Sequence, residues 1–533
     1  MILSTVLAAT GWAARTSPPP AAAELLYRQG ILPSGQPLRG EREGAEPVEG
    51  AAAACVNCHR RSGFGVEEGR IVIPPITGKY LFRAGSMDVV GMMGNATEAA
   101  TPRRSRYTYE SLARAIRTGI DPDGRPLDYL MPRFPLDEAT MQLLIGYLRQ
   151  LSSHPAPGAT GDTLEFATIV TPDSDPVKRQ GMLDVLEHFF GNKNASYRGE
   201  DPPLQSSRRI DFRVLRRWQL HVWELGGPPD TWEAQLQQRQ HAAPVFAVIS
   251  GIGGTTWEPI HRFCERESLP CLFPNVDVSV VEEKDFYPLY FSRGVRLEAD
   301  LIARRVRDEH ESNSPRLIQV YSQQDIGAQG AQALASAVAP LGLRPLAHVI
   351  TSKVPTRELA AALRDSAASD VLVLWLRPED LKALPAQAPA SKTIFVSGLM
   401  GGLENAPLPL VWRSVARMTY PYELPALRAV RMNYPLGWFS IQHIPMVDER
   451  TQTDTYLACS ILAEAATNML DNFVPDYLIE RVEVQLSHRL VNGYYSRLGL
   501  APGQRFASKG GYLVRFAEPQ GKRVVADGEW IVP

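Results

Sequence analysis

The sequence predicts a smaller, mainly helical domain followed by a larger, two-lobed α/β domain. Three observations predict this division. Apolar residues recur at helical spacing before residue 153. Residues 153–162, SSHPAPGATG, are rich in Pro, Gly and small side chains, as is typical of a linker. Beyond them, apolar strand-like runs alternate with helical patterns, which favours parallel sheets covered by helices.

Composition limits the classes of protein that this chain can belong to. Apolar residues make up 44% of the 533 residues and charged residues 21%, which is globular composition and excludes wholesale disorder. The net charge of -2 gives no electrostatic case for nucleic-acid binding. No apolar run approaches the roughly 18 residues needed to span a membrane. Five cysteines are too few for a disulfide scaffold of this size.

The first 23 residues are typical of an export signal. The apolar stretch MILSTVLAATGWAA is too short to span a membrane, and Ala21-x-Ala23 fits a cleavage site. No Lys or Arg precedes the stretch, so a buried or frayed N-terminal helix is the alternative. The expectation is a signal peptide at 1–23 and a periplasmic protein, exported in the Gram-negative manner.

The segment Cys55-Val56-Asn57-Cys58-His59 carries the strongest chemical indication. It has the C-x-x-C-H spacing of covalent haem attachment. Two thiols three positions apart on one helical turn reach the two vinyl groups of a haem, and the adjacent His turns towards the iron. A redox-active cysteine pair with an incidental His is the alternative. The polar surroundings disfavour it, because such a pair follows a strand.

A haem of this kind takes a second axial ligand, and five methionines follow the motif. The candidates are Met87, Met92, Met93, Met131 and Met141. Met141 belongs to an amphipathic helical pattern capped by Asp137, so it is assigned to the core. Met131 precedes Pro132, which restricts it to an extended conformation outside a helix. Before it, Thr108 caps a predicted helix that Gly119 ends.

Residues 24–152 resemble a class I monohaem cytochrome c domain. The resemblance rests on CVNCH, the proline loop IPPITG, the segment YTYESLARAIRTGIDPDGRPLDYLMPRF and the closing helix MQLLIGYLRQL. A similar pattern occurs in the cytochrome subunits of bacterial alcohol dehydrogenases.

The cytochrome resemblance implies one covalently attached haem c. Cys55 and Cys58 would form the thioether bonds, and His59 and Met131 would be the axial ligands of the iron. The carbonyl of Pro74 or Pro75 would accept a hydrogen bond from His59 Nδ1. The loop from residue 81 to 106 is longer than the family minimum, so Met92 and Met93 stay open as alternatives to Met131.

The second half alternates strands and helices over about 370 residues, which is too long for one sheet and predicts two lobes. The strand candidates are 166–171, 219–225, 245–250, 271–273, 317–321, 347–350, 371–376 and 393–396. The helical patterns include 297–310, 328–339 and 357–366. Nucleotide, esterase and metalloprotease motifs are missing from the sequence; the glycines after Ser250 lack the ending and spacing of a phosphate loop.

Residues 163–533 resemble a type I periplasmic binding protein of the branched-chain amino-acid and amide-binding kind. The succession from FATIVTPDSDPVKRQGMLDVL through APVFAVISGIGGTTWEP to TDTYLACSILAEAATNML carries this resemblance, and no single motif does. The full expectation is a mainly helical cytochrome c domain followed by a two-lobed α/β domain like a type I periplasmic binding protein.

In such folds the ligand lies between the lobes, near strand C-termini. The cleft candidates are Ser250, Gly251, Thr255 and Thr256 from the first lobe, and Tyr321, Asp325 and Ser397 from the second. Turn and capping chemistry explains these residue types equally well. The run Gly-Ile-Gly-Gly after Ser250 departs from amino-acid binders. Cys264 and Cys271 leave a local disulfide open, while Cys459 lies on an apolar helical face.

The sequence therefore predicts a non-enzymatic electron carrier with one haem c. Its binding-protein-like module would dock a partner or bind a small organic ligand. The partner would be a periplasmic redox protein, such as a quinoprotein dehydrogenase or a terminal oxidase. The alternative is a solute-binding or sensor protein in which the haem is a redox switch. An enzyme that oxidises a substrate in the second half lacks a second cofactor motif.

Overall fold

The structure is a computed structural model of the chain that forms two compact units, divided between Pro155 and Ala156. This division falls within the predicted linker, 153–162. The residues that it describes are 21–42, 44–68, 71–84, 104–195, 204–205, 211–212, 216–280, 284–309, 315–351, 356–364, 366–387, 389–488, 493–501 and 503–533. Residues 1–20 of the predicted signal peptide, and Met87, Met92 and Met93, lie outside the described residues.

The first unit contains short helices around a small apolar core and two antiparallel strand pairs, β1–β2 and β3–β4. Its elements in chain order are α1 Ala21–Gln29, β1 Arg39–Arg42, β2 Ala45–Glu49, α2 Val56–His59, β3 Val66–Glu68, β4 Ile71–Ile73, α3 Gly78–Leu81, α4 Tyr109–Thr118 and α5 Glu138–Gln150.

The capping residues set the ends of the two longest helices of the first unit. Thr108 accepts a hydrogen bond from the Ser111 backbone N–H and begins α4, which Gly119 ends. Asp137 accepts from the Thr140 N–H at 2.7 Å and begins α5. Both predicted helices are confirmed. Met141 is fully buried in the core of this unit, as its position in the apolar pattern predicts.

The expectation of a mainly helical first unit holds only in part. The unit has mixed α/β content, because β1–β2 and β3–β4 form short antiparallel pairs between its helices. Ala23 lies in α1 and belongs to the core with Leu26 and Tyr27, while the end of a signal peptide at residue 23 stays a prediction.

The second unit alternates strands and helices. Its elements up to the first crossing between lobes are β5 Thr163–Val170, α6 Pro176–Ala195, β6 Leu204–Gln205, β7 Asp211–Phe212, β8 Arg217–Glu224, α7 Trp232–Ala242, β9 Ala247–Ile249, α8 Glu258–Arg266, β10 Cys271–Leu272 and β11 Pro288–Leu289. The remaining elements are α9 Val295–Glu309, β12 Leu317–Ser322, α10 Gly327–Val338, β13 Leu346–Ile350, α11 Thr356–Arg364, β14 Val371–Trp375, α12 Pro378–Lys382, β15 Thr393–Val396, α13 Gly398–Gly401, α14 Leu410–Arg413, β16 Ala416–Tyr420, α15 Pro425–Ile441, α16 Glu449–Asn468, α17 Pro475–His488, β17 Tyr512–Phe516 and β18 Val524–Ala526.

Two sheets define two lobes within the second unit. Lobe one contains a parallel sheet in the order β11-β10-β9-β5-β8, and lobe two contains a sheet in the order β13-β12-β14-β15-β16-β17-β18. Apolar runs form the buried strands; every residue of β14 is buried, for example. The expectation of parallel sheets holds through β16, whereas β17 and β18 are antiparallel and close one edge.

The chain passes between the lobes after β11, after β16 and again before β17. Between the second and third passages, α16 packs against α6 and so belongs to lobe one. Cys264 of α8 and Cys271 of β10 are joined by a disulfide in this lobe. Cys459 is buried in the core, as expected. Among the described helices, none is long and apolar enough to cross a membrane.

Candidate functional sites

The C-x-x-C-H segment forms a single helical turn in the first unit. Cys55 begins α2, and the backbone N–H of His59 donates to the Cys55 carbonyl at 2.9 Å. The thiols of Cys55 and Cys58 are not joined to each other, and both residues are half-buried. The turn therefore places two cysteines that form no disulfide beside one imidazole.

The His59 ring is held in one orientation by the proline loop. Its side chain is buried, with 9% exposure, and its Nδ1 lies 3.1 Å from the carbonyl oxygen of Pro74. Burial lowers the pKa of His59 to about 4, although the Pro74 carbonyl opposes that shift, so the ring is neutral at pH 7. Nδ1 then carries the hydrogen and donates a hydrogen bond to the Pro74 carbonyl. Nε2 is left unprotonated, as a metal ligand must be.

A short hairpin places Pro74 against the histidine. After α2 the chain turns through Gly65, and β3 and β4 pair so that Val66 lies opposite Ile73. Gly65 has a φ of +71°, and a Cβ there would lie 2.0 Å from the Ile73 carbonyl oxygen, so only glycine fits. The hairpin brings the residue after β4 back to the buried imidazole.

The protonation of the thiols separates the two interpretations of the motif. Burial raises the pKa of the Cys55 thiol to about 12. A catalytic cysteine pair depends on a lowered thiol pKa, which provides the reactive thiolate. Two cysteines that form no disulfide on one turn, beside a neutral His with an unprotonated Nε2, fit covalent haem better than a redox dithiol. These residues of the described structure therefore fit haem c.

Met131 lies in a bend outside the helices and is half-buried. Its backbone N–H donates to the Asp128 carbonyl at 3.2 Å, and its own carbonyl accepts from Arg133. Arg133 pairs in turn with the backbone of Glu41. Hydrogen bonds thus hold the backbone of Met131 on both sides, and the residue lies outside the helices. The assignment of Met131 as the distal ligand stays a prediction.

A polar cavity lies where the chain passes between the lobes of the second unit. The centre of a water molecule can move within about 20 Å³ of it, which is room for about one water, and the whole empty space measures about 330 Å³ with the adjoining solvent included. Asn275 and Asp277 follow β10, Leu399 follows β15, and Tyr422 follows β16, so the cavity lies at strand C-termini. Its lining residues are Pro274, Asn275, Val276, Asp277, Phe291, Ser292, Leu399, Tyr422, Arg450, Asp454 and Tyr495.

Arg450 is the central cation of this cavity. It donates to Asp277 Oδ1 at 3.0 Å and to the Tyr422 hydroxyl at 3.2 Å. Arg377 approaches the other oxygen of Asp277 at 3.8 Å. Burial alone would raise the pKa of Asp277, but Arg450, Lys178 and Arg377 outweigh it and hold that pKa at about 2. Asp277 is therefore a fully ionised carboxylate with both oxygens facing cations.

Asp454 lines the same cavity from the first turns of α16, but it is only partly satisfied. Its side chain is 4% exposed, and the Tyr495 hydroxyl donates to Oδ2 at 3.3 Å. Oδ1 is buried without a hydrogen-bond partner. Burial raises the pKa of Asp454 to about 7, against the opposing pull of Arg450. A buried carboxylate oxygen without a donor is costly, which marks this atom as a point of attachment.

The seven cleft candidates from the sequence all lie in the second unit, and none belongs to the lining of this cavity. Asn275, which lines the cavity, contacts two of these candidates. Its Nδ2 donates to Ser250 Oγ at 2.9 Å and to the Gly251 carbonyl at 3.2 Å. Thr255 donates to Asp173 through both its backbone and its hydroxyl. Thr256 accepts from the backbone N–H of Glu258, which is turn chemistry.

The candidates of lobe two have structural partners. Tyr321 is half-buried at the end of β12. Asp325 accepts from Arg377 Nε and Nη2, at 2.8 and 3.0 Å. Ser397 is fully buried, begins α13 and donates to the buried carboxylate of Glu298. A ligand role for the seven residues stays a prediction.

The residues that form the cavity were not predicted from the sequence. Asn275 and Asp277 follow the predicted strand 271–273, so the rule that ligands meet strand C-termini could have found them. Arg450 and Asp454 lie about 175 residues further on, in a helix. Only the fold brings them to Asp277.

About 70% of the chain is similar in fold to solved structures. A fatty acid ABC transporter substrate-binding protein from Thermomonospora curvata has a TM-score of 0.51 at 15% identity, over 71% of this chain and 95% of that one. A branched-chain amino acid ABC transporter protein from Thermus thermophilus with bound valine has a TM-score of 0.50 at 10% identity, over 70% and 97%.

The second unit has the type I periplasmic binding protein fold. The share of the chain that the two structures cover corresponds in length to residues 156–533. At these identities the likeness extends to the fold alone. No family model matches the chain, and no curated protein matches it either.

Proposed function

We propose that the protein is an exported c-type cytochrome that transfers electrons through one covalent haem. Its second unit binds a small polar organic ligand between two lobes. The observation that carries the haem assignment is the buried His59, whose Nδ1 faces the Pro74 carbonyl on the same turn as two cysteines that form no disulfide.

The residues of the first unit would share the work of holding the haem. Cys55 and Cys58 would form the thioether bonds, His59 Nε2 would bind the iron, and Met131 would be the second axial ligand. Haem c supplies one-electron redox chemistry when it is bound. The hydrogen bond to Pro74 keeps the imidazole in the tautomer that binds metal and strengthens it as a ligand.

The proposed partner of the haem is another periplasmic redox protein. A quinoprotein dehydrogenase would donate electrons to the haem, or a terminal oxidase would accept them. This role needs no second redox centre in the chain, and the second unit then acts as a docking or ligand-sensing module.

The second candidate function is a solute-binding or sensor protein in which the haem acts as a redox switch. The polar cavity favours it, because ligands of such folds bind between lobes and close them by a hinge motion. Phe291, Tyr422 and Tyr495 belong to the segments that connect the lobes, so a ligand here would contact the hinge itself.

The haem assignment is tested on a denaturing gel stained for haem peroxidase activity, with the full chain expressed beside a c-type maturation system. The wild type should stain in the periplasmic fraction, and Cys55→Ala/Cys58→Ala should not. Cys459→Ala is the matched control, since that buried cysteine lies in the second unit, and it should stain like the wild type. Staining of the double variant, or no stain in the wild type, would overturn the assignment.

A further inference from the structure

The polar cavity of the second unit contains an acceptor that the protein itself does not satisfy. Asp454 is nine-tenths buried, and its Oδ1 has no hydrogen-bond partner although Oδ2 has one. Every other charged side chain in the lining is paired, because Arg450 donates to Asp277 and to Tyr422. An atom in this position is satisfied by a donor from outside the protein, either a water molecule or a bound ligand.

The charges around the cavity indicate what kind of donor is required. Among the charged side chains that line the cavity, carboxylates outnumber cations by one, since Asp277 and Asp454 face the single cation Arg450. Glu298 also faces Asp277, and its ionisation would add charge of the same sign. A cationic donor would neutralise the excess, whereas an anion would add to it.

The walls of the cavity favour an organic cation over a bare metal ion. Three aromatic side chains line it, with ring centroids 5.2 Å apart for Phe291 and Tyr495 and 5.4 Å apart for Tyr422 and Tyr495. Aromatic faces attract ammonium groups, and they supply no ligands for a hard metal ion.

We propose that the cavity binds the primary ammonium group of a small organic amine, which donates to Asp454 Oδ1 beside the aromatic wall of the cavity. This inference rests on the proposed function of the second unit as a ligand-binding module. The cavity has room for little more than one water-sized group, so the ammonium enters it and the rest of the amine lies towards solvent. Arg450 balances Asp277 and keeps that second carboxylate from competing for the ammonium.

The test compares two probes of nearly equal size with the full chain by isothermal titration calorimetry at pH 8. Ethanolamine carries an ammonium group where ethylene glycol carries a hydroxyl. Ethanolamine should bind, and ethylene glycol and acetate should bind at least about tenfold more weakly, which corresponds to about 1.4 kcal/mol for the charged hydrogen bond. This comparison needs no variant, so it holds even where a substitution disturbs folding.

Two variants of α16 locate the binding group. Asp454→Asn keeps the shape of the side chain, removes its charge and should weaken ethanolamine at least about tenfold. Glu464→Gln is the matched control, because it removes one charge from the exposed face of the same helix. Residue 464 does not line the cavity. This control should bind ethanolamine within about twofold of the wild type, since its side chain lies outside the binding site.

The outcomes distinguish this inference from the proposed function. Equal binding of ethanolamine and ethylene glycol, or full affinity in Asp454→Asn, would overturn the ammonium site and leave ligand binding intact. Binding of none of the probes would also overturn it. Native mass spectrometry of the purified chain would then decide the function, since a co-purified molecule of another class supports a binding module and its absence opposes one.

Discussion

Glu298 provides a quantitative test of the packing of lobe two. The carboxylate is fully buried at the start of α9. It accepts hydrogen bonds from the hydroxyl of Ser397 at 2.5 Å, the hydroxyl of Thr419 at 2.6 Å and the backbone N–H of Leu399 at 2.9 Å. These contacts join α9 to the ends of β15 and β16. Burial raises the pKa of Glu298 to about 7, and the three hydrogen bonds oppose that shift.

The raised pKa makes the stability of the protein fall as the pH rises. The ordinary value is 4.5, so between pH 4.5 and about 7 the folded state holds a proton that the unfolded state has released. The stabilisation from Glu298 is complete below the unfolded pKa and is lost as the pH passes the folded one. A shift of about 2.5 units corresponds to about 3 kcal/mol in full, of which about 2.5 kcal/mol falls between pH 5 and pH 8.

Glu298→Gln removes this titration and keeps the shape of the side chain. Its amide oxygen can accept from Thr419 and Leu399, and its amide nitrogen can donate to Ser397 Oγ. Urea unfolding of the full chain at pH 5 and pH 8, followed by tryptophan fluorescence and circular dichroism, gives the difference in unfolding free energy from the wild type. From pH 5 to pH 8, the unfolding free energy of the variant relative to the wild type should rise by about 2–3 kcal/mol.

Glu309→Gln is the control on the same helix. Glu309 accepts from Arg305 and Arg417, and although burial opposes them, these arginines keep its pKa below the ordinary value. Its titration is therefore complete below pH 5, and its effect should be the same at pH 5 and pH 8. If Glu298→Gln also differs from the wild type by the same amount at both pH values, the argument about this buried carboxylate is wrong.

Three further predictions concern other parts of the chain. Met131→Ala should abolish the weak long-wavelength absorbance of His/Met haem and lower the reduction potential with little loss of stability. Met141→Ala should cost about 2–5 kcal/mol in urea unfolding and leave the haem spectrum intact. Loss of the absorbance in Met141→Ala and its survival in Met131→Ala would refute the ligand assignment. Cys264→Ala/Cys271→Ala should lower the unfolding free energy by about 2.5 kcal/mol, the loop-closure entropy of an eight-residue loop, with no effect expected on haem content. Gly158→Ala should cost at least about 2 kcal/mol in urea unfolding. Gly158 has a φ of +77°, and a Cβ there would lie 2.3 Å from the Phe246 backbone nitrogen. An unchanged unfolding midpoint would show that this turn adapts.

The sequence predicts the buried strands well because burial on both faces requires continuous apolar runs. The predicted strands 317–321 and 371–376 are confirmed to within a residue as β12 and β14. Helix ends were equally predictable where a cap determines them, as at Thr108 and Asp137. These features are local, so the nearby residues contain the necessary information.

Features formed by distant segments could not be predicted in this way. The short β11 has little pattern of its own and exists through pairing with β10. The antiparallel edge of lobe two forms because β17 returns about 95 residues after β16. The cavity could not be predicted for the same reason, because Arg450 donates to Asp277 although the strands of lobe two lie between them in the sequence. Asp454 in turn resembles any polar residue of an amphipathic helix until the fold buries it.

The visible spectrum of the purified full chain, recorded before and after acid–acetone extraction, tests the proposed haem most directly. The protein should be red, should show a sharp α band on reduction, and should retain one haem per chain after extraction, because thioether bonds from Cys55 and Cys58 survive denaturation. A colourless protein from cells that attach haem to other c-type cytochromes, or a haem that the solvent removes, would contradict the proposal that this chain is a c-type cytochrome.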